Sequence, residues 1–282
     1  MSTRRPTPIV SVPIQSFDGE LRRRYDEVVG EEPLEIRLEE PSQRRSLGIT
    51  MRTPGQDFDL AAGMLLTDGL IDSADDIAAL RYCTDSDITE DERFNVVLVR
   101  LRGGASAQRV IVERLRPAFS ACGVCGQGSL ESLELRWSKV PAIALAEVGE
   151  IALMVEEMQR HQTIFTRTGG LHGAALFESS ASLVSASEDI GRHNAVDKAI
   201  GRALLERRLD RATVLVVSSR CGYEIVAKAV AASISIVVSV SAPSSFAISV
   251  AEKFGIALVA FARGSRFNVY ADPQGLLSSF GS

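Results

Sequence analysis

The sequence predicts an α/β protein, α+β overall, with a smaller, mostly β unit over residues 1–137 and a larger αβα unit over residues 138–282. Three observations predict it. Strands with polar and apolar residues in alternation occupy the early part of the chain, the pattern of half-buried antiparallel sheet. Beyond Pro141, runs apolar throughout alternate with helical segments, as in a parallel sheet covered on both faces. Between the two, residues 118–130 turn to small residues, and Trp137–Pro141 marks the boundary.

The opening residues, up to about 30, mix proline, arginine and acid without periodicity and read as an arm or edge strand. Glu35–Glu39 and Ser46–Thr50 alternate and read as paired strands. Pro54-Gly55 is a turn, and Asp57 is positioned to cap a helix through Leu66, with Phe58, Ala61, Ala62 and Leu65 on its apolar face. Phe94–Leu101 alternates in part and reads as a strand, which Gly103-Gly104 ends. In the second unit a helix from Leu145 to Gln162 leads into Thr168-Gly-Gly-Leu-His-Gly173, followed by the apolar run Ala174–Phe177. The spacing then predicts strand Leu183–Ser187, helix Asp189–Arg208, strand Thr213–Ser218 and helix Tyr223–Ala232. Strand Ile234–Val240, helix Ser244–Phe254 and strand Ile256–Phe261 complete it. There is no repeat of fixed period and no low-complexity tract.

Hydrophobic residues at 45% and charged residues at 24% are ordinary for a globular protein. A net charge of -5 gives no reason to expect a general nucleic-acid or membrane surface. Arg4-Arg5 is followed by no apolar core of the kind an export signal needs. No uninterrupted apolar run approaches the roughly 20 residues that span a bilayer, so the protein is expected in the cytoplasm.

Ligands of open α/β sheets bind beyond the carboxyl ends of the strands. The segments that follow the strands here are Ser187–Asn194, Ser219-Arg220-Cys221-Gly222, Ser239–Ser245 and Arg263-Gly264-Ser265-Arg266. Small residues let backbone N–H groups approach a ligand, three of the four segments supply arginine, and helix N-termini at the same edge favour an anion. The edge thus suits a phosphate-bearing ligand such as a nucleotide, although each loop taken alone is also an ordinary connection. A helix places His193 over Asp197 and Asn194 over Lys198, either a solvated face or part of a site. His172, bracketed by glycines, is a turn residue or a group that touches ligand or moves a proton near neutrality.

Of the four cysteines Cys83, Cys122, Cys125 and Cys221, two form Cys122-Gly-Val-Cys125-Gly126. A zinc site would need a second close ligand pair, and none is visible. A zinc deaminase would show H-x-E and P-C-x-x-C, whereas His172-Gly-Ala174 and Ala121-Cys122 stand here. A thioredoxin-like pair opens a helix after a strand, while glycine flanks both thiols here. The remaining reading is a nucleophilic thiolate on a mobile loop, able to carry sulfur as a persulfide.

In combination, Leu66-Thr-Asp-Gly69, Cys122-Gly-Val-Cys-Gly126, Thr168-Gly-Gly-Leu-His172, Glu188–Lys198, Ser239-Val-Ser-Ala-Pro243 and Arg266-Phe-Asn-Val-Tyr270 closely resemble the FdhD family, the accessory sulfurtransferases of formate dehydrogenase. The resemblance runs from about Asp26 to Tyr270. Asp68 stands where the family more often has glutamate, and Cys221-Gly222 departs from a more usual small polar pair, so Cys221 is not carried over. The resemblance implies a sulfur carrier that receives persulfide sulfur from a cysteine desulfurase of the IscS type. It passes that sulfur to the molybdenum cofactor, bis-molybdopterin guanine dinucleotide (bis-MGD), for apo-formate dehydrogenase. It implies Cys122 as persulfide carrier with Cys125 as helper, and a guanine-nucleotide pocket that includes Phe261, Ala262, Arg263, Gly264, Ser265 and Arg266. His172, Arg192, His193, Asn194 and Ser241 complete the expected binding set. The implied fold of the larger unit is that of cytidine deaminase without the zinc, with no tightly bound metal, and the implied assembly is a homodimer. A cofactor chaperone that moves no sulfur, and a thiol-redox protein independent of nucleotide, are the competing functions.

Overall fold

The computed structural model describes residues 6–41, 43–84, 89, 93–102, 130–134, 136–142 and 146–278, and the loop bearing Cys122 and Cys125 lies outside the described residues. The chain opens as a hairpin rather than a lone arm or edge strand: β1 (Ile9–Phe17) pairs antiparallel with β2 (Leu21–Val29) in a sheet of two strands. Gly19, at φ 78°, supplies the left-handed residue of the tight turn. β3 (Glu32–Glu39), β4 (Arg44–Arg52), β5 (Ile77–Tyr82) and β6 (Val96–Leu101) form a second sheet in the order β4-β3-β6-β5. β3 and β4 are antiparallel, as their alternation predicts, and Leu34, Ile36 and Leu38 turn inward and are buried. β5 escaped prediction because Ile-Ala-Ala-Leu-Arg-Tyr has no alternation to read.

Helix α1 (Asp57–Thr67) follows β4. Its cap is Gln56, and Asp57 is not the capping residue expected: its carboxylate receives Arg52 Nε and Nη2, each at 3.0 Å, in a buried ion pair. Beyond α2 (Leu130–Glu134) come β7 (Ala146–Glu147), α3 (Val148–Arg160) and α4 (Thr163–Thr168). The helix expected to run from Leu145 to Gln162 is therefore shorter and followed by a second turn of helix. The third sheet contains β8 (His172–Phe177), β9 (Leu183–Asp189), β10 (Val214–Val217), β11 (Ile236–Ser239), β12 (Ala257–Arg263) and β13 (Arg266–Ala271). Helices α5 (Arg192–Leu205), α6 (Tyr223–Ala231) and α7 (Ser245–Phe254) lie between its strands in sequence, and β14 (Leu277–Ser278) pairs with β7.

The sheet order is β13-β12-β11-β10-β8-β9, and only β10, β11 and β12 are mutually parallel. β8 runs antiparallel to β10, β9 to β8, and β13 to β12, so the expected all-parallel sheet is mixed. Apolar runs report burial on both faces but not strand direction. Both faces are indeed covered. Ile151, Met154, Val155 and Met158 of α3 pack with Phe177, Val214, Val216 and Val238 on one side, while residues of α5, α6 and α7 cover the other. Among the described residues no helix is long and apolar enough to cross a membrane.

A single apolar cluster joins the two units, running from Leu34, Ile36 and Leu60 to Val196, Ile200 and Ile225. Two glycines make this possible where α1 crosses α5. A Cβ on Gly63 would overlap the Asp197 carbonyl, and one on Gly201 would overlap the Asp59 carbonyl. Gly201→Ala is therefore expected to lower the free energy of unfolding by about 1–3 kcal/mol through overpacking. An unchanged urea midpoint would show that the helices can move apart freely.

Candidate functional site at the strand edge

His172 opens β8 and is in register with Asp189, the last residue of β9. On its other side Ala174 faces Val217, the last residue of β10. The exit of β9 leads to Arg192 and the exit of β10 to Arg220, one on each side of His172. Asp189, expected to begin a helix, thus ends a strand. Gly173 N–H donates to Ser218 Oγ at 2.9 Å and Ser218 N–H donates to the Gly173 carbonyl at 3.0 Å, which fixes the two exits together. A cleft of about 630 Å³ opens here, lined in part by Gln162, Phe165, Gly170, His172, Ser218 and Val240.

The next exits are stitched in the same way. Ser239 Oγ lies 2.8 Å from the Ser219 carbonyl and 3.0 Å from that of Ser241, and Cys221 N–H donates to the Ala242 carbonyl at 3.0 Å. Residues Phe261 to Arg266 are the hairpin joining β12 to β13, not a loop beyond a final strand. Phe261 sits at φ 55° within a register shift, 41% exposed, with its N–H donated to the Ser241 carbonyl at 3.2 Å. A phenylalanine held in left-handed backbone is a strained position of the kind found at binding sites. Ala262 turns into the core beneath the sheet, so its contribution to an edge ligand is limited to backbone. Arg263 and Arg266 face each other in register across Gly264-Ser265, an arrangement that like charges disfavour. The guanidinium groups of Arg192, Arg220, Arg263 and Arg266 have no hydrogen-bond or ion-pair partner among the described residues.

Burial above all, then Arg192 and Arg220, pushes the His172 pKa down, against a weaker pull from Asp189. Burial with Arg192, Lys228 and His172 pushes His193 down to about 3, so its ring is neutral at physiological pH. Its Nε2 is buried with no partner among the described residues.

The rest of the Glu188–Lys198 motif is neither a solvated face nor open to the edge. Lys198 Nζ lies 2.6 Å from Asp189 and donates to the Thr53 carbonyl at 2.8 Å, with both charged side chains essentially fully buried. Asp189 also accepts from Thr53 N–H at 3.1 Å and Gly191 N–H at 2.8 Å. The Asn194 amide donates to the Met51 carbonyl at 2.7 Å and to Asp189 at 3.2 Å. Asn194, expected among the ligand contacts, is thus engaged in holding the end of β4 to the start of α5. Asp197 receives Lys228 Nζ at 2.8 Å on both oxygens and Thr67 Oγ1 at 2.9 Å. Glu188 caps α4 by accepting from Ile164 N–H at 2.9 Å and Phe165 N–H at 2.8 Å, which places Phe165 on the cleft wall. Sequence reasoning missed Glu188 and Asp189 as positioning groups, and it read Arg220 among the strand-end arginines without placing it beside His172.

Burial and the Glu224 charge push the Cys221 thiol up to about 12, so it remains a protonated thiol without nucleophilic character. Cys83 is likewise buried. No group of three His, Cys, Asp or Glu side chains among the described residues is placed to hold a metal ion.

Fold and edge together define an α/β protein whose strand ends gather arginines and a half-buried histidine, an arrangement suited to an anionic ligand. The chain belongs to the FdhD/NarQ family, which its residues 29–277 match. It is 44% identical to the sulfur carrier protein FdhD of Streptomyces avermitilis over 92% of each chain. It is 42% identical to that of Mycolicibacterium paratuberculosis, over 89% of this chain and 92% of the relative. The fold is shared with a crystal structure of a candidate formate dehydrogenase accessory protein from Desulfotalea psychrophila, at TM-score 0.74 and 23% identity over 96% of this chain and 100% of that one.

Proposed function

We propose that the protein is a sulfur carrier that loads persulfide sulfur onto Cys122 and passes it to bis-MGD, a substrate held at the strand edge, for use by formate dehydrogenase. In the loading step the Cys122 thiolate attacks the outer sulfur of a cysteine desulfurase persulfide. The new S–S bond forms on Cys122 and the desulfurase cysteine leaves as thiolate. Cys125 tunes or relays the carried sulfur. The cytoplasmic setting rests on the reading of the sequence, and the homodimer on the family resemblance alone.

One observation carries the ligand assignment: two separate sets of arginines whose guanidinium groups have no partner among the described residues lie on a single sheet edge. Arg192 and Arg220 flank β8, and Arg263 and Arg266 flank the β12–β13 turn. Three strand intervals separate β8 from β12, about 14 Å at ordinary strand spacing. A ligand with one anionic group satisfies one set, whereas an extended dinucleotide with phosphates along its length reaches both. Arg266→Ala is therefore expected to weaken a guanine nucleotide by roughly 1.5–3 kcal/mol, about one to two decades in affinity. Equal affinities for parent and variant in calorimetry would remove Arg266 from the site.

A further inference from the structure

The order β10-β8-β9 puts His172 on the middle strand of three, with Arg192 and Arg220 leaving from its neighbours. The two exits are about 10 Å apart at ordinary strand spacing, a gap that two arginine side chains can close from opposite sides. Arg192 is half-buried and Arg220 exposed, and neither guanidinium has a hydrogen-bond or ion-pair partner among the described residues. The one carboxylate in register with His172, that of Asp189, is already engaged by Lys198, Thr53, Gly191 and Asn194. Two guanidinium groups and an imidazole therefore share one corner, and the carboxylate beside them is already engaged elsewhere.

We propose that His172, Arg192 and Arg220 form one receptor for a phosphoryl group, and that His172 takes up a proton as that group arrives. This rests on the reading of the edge as the seat of a phosphate-bearing ligand held in part by Arg192 and Arg220, and adds His172 and a proton to it. The charged and titratable groups facing His172 are Arg192 from α5, Arg220 from the β10–α6 loop and Asp189 from β9, with His193 behind it and Lys228 beyond. Without ligand, burial and both arginines favour the neutral ring. A phosphoryl dianion between the arginines reverses their effect and rewards the imidazolium with a charge-assisted hydrogen bond. The ring's pKa is below its usual value in the free protein and higher in the complex. The ring's contribution to affinity is then flat below the free value, falls up to about tenfold per pH unit between the two, and is flat again above the bound value.

The test is calorimetry of the full chain with guanosine diphosphate and with inorganic pyrophosphate, near neutral pH, in two buffers of different ionisation heat. The parent should take up more protons on binding than His172→Gln, because both share the ligand's own titration and differ only in the ring. Arg220→Gln should weaken both probes about tenfold or more, and Arg220→Lys should recover part of that loss. Equal proton counts for parent and His172→Gln, or unchanged affinity in Arg220→Gln, would overturn the receptor while leaving the edge a nucleotide site. A parent protein that binds neither probe would overturn the edge reading itself, and the receptor with it.

Discussion

A Cys122→Ala protein is expected to fold like its parent and to leave formate dehydrogenase without activity in cells that depend on it. The segment around Cys122, Ala118 to Leu130, is mostly glycine, serine and alanine, with few side chains that could add apolar burial. Loss of the thiol should therefore remove chemistry and spare stability. Alanine has no sulfur to attack a persulfide, and Cys221 cannot substitute, since its buried thiol is held protonated. Cys125 shares the loop, but its role is to tune or relay the sulfur that Cys122 loads, and it is not expected to load sulfur in its place. Complementation of a deletion strain, alongside thermal denaturation, separates the two effects. Full activity restored by Cys122→Ala would contradict the role given to this residue.

The largest loss of stability is expected at Lys198. Its ammonium is the counter-charge of Asp189 and both are sealed from water, so Lys198→Met leaves a buried carboxylate without its counter-charge. Breaking such a pair from one side costs about 3–5 kcal/mol, a large part of the roughly 5–15 kcal/mol that holds a typical domain. The second effect is positional. Asp189 holds Thr53 and Gly191, and through them the start of α5, which carries Arg192 and His193. The double variant Asp189→Asn with Lys198→Met removes both charges and should recover part of the loss. Urea denaturation of the two single variants and the double one checks this. A double variant as unstable as the sum of the singles would mean that the ion pair is not the unit of stabilisation.

The parts of the fold that could be read from the sequence are those set by local pattern. Ile236–Val238 is an unbroken apolar run and Leu34, Ile36 and Leu38 alternate, so both strands are visible. Ser244 caps α7 by accepting from Ala247 N–H at 3.1 Å, as its place before the helix suggests. Strand direction was not visible, because the Ala174–Phe177 run is equally apolar whether β8 runs parallel or antiparallel to β10. β13 left a trace in the alternation of Arg266-Phe-Asn-Val-Tyr270, which passed unread as a strand because Gly264-Ser265 resembled a strand-end loop. The site was legible as a list of strand ends carrying arginine and small residues. Which of those ends are neighbours depends on sheet order, and so Arg220 could not be placed beside His172. The buried partners were hidden for a different reason. Lys198 binds the carbonyl of Thr53, 145 residues earlier in the chain, and nothing in the local spacing of Asn194 and Lys198 indicates that contact.

The central claim is that sulfur travels on Cys122, and mass spectrometry of that residue tests it most directly. The purified protein, incubated with a cysteine desulfurase and cysteine and then digested without reductant, should yield the Cys122 peptide one sulfur atom heavier. Cys125→Ser should still load at that position and Cys122→Ser should not. Extra sulfur found on Cys125 with Cys122 unmodified, or on neither thiol, would contradict the account.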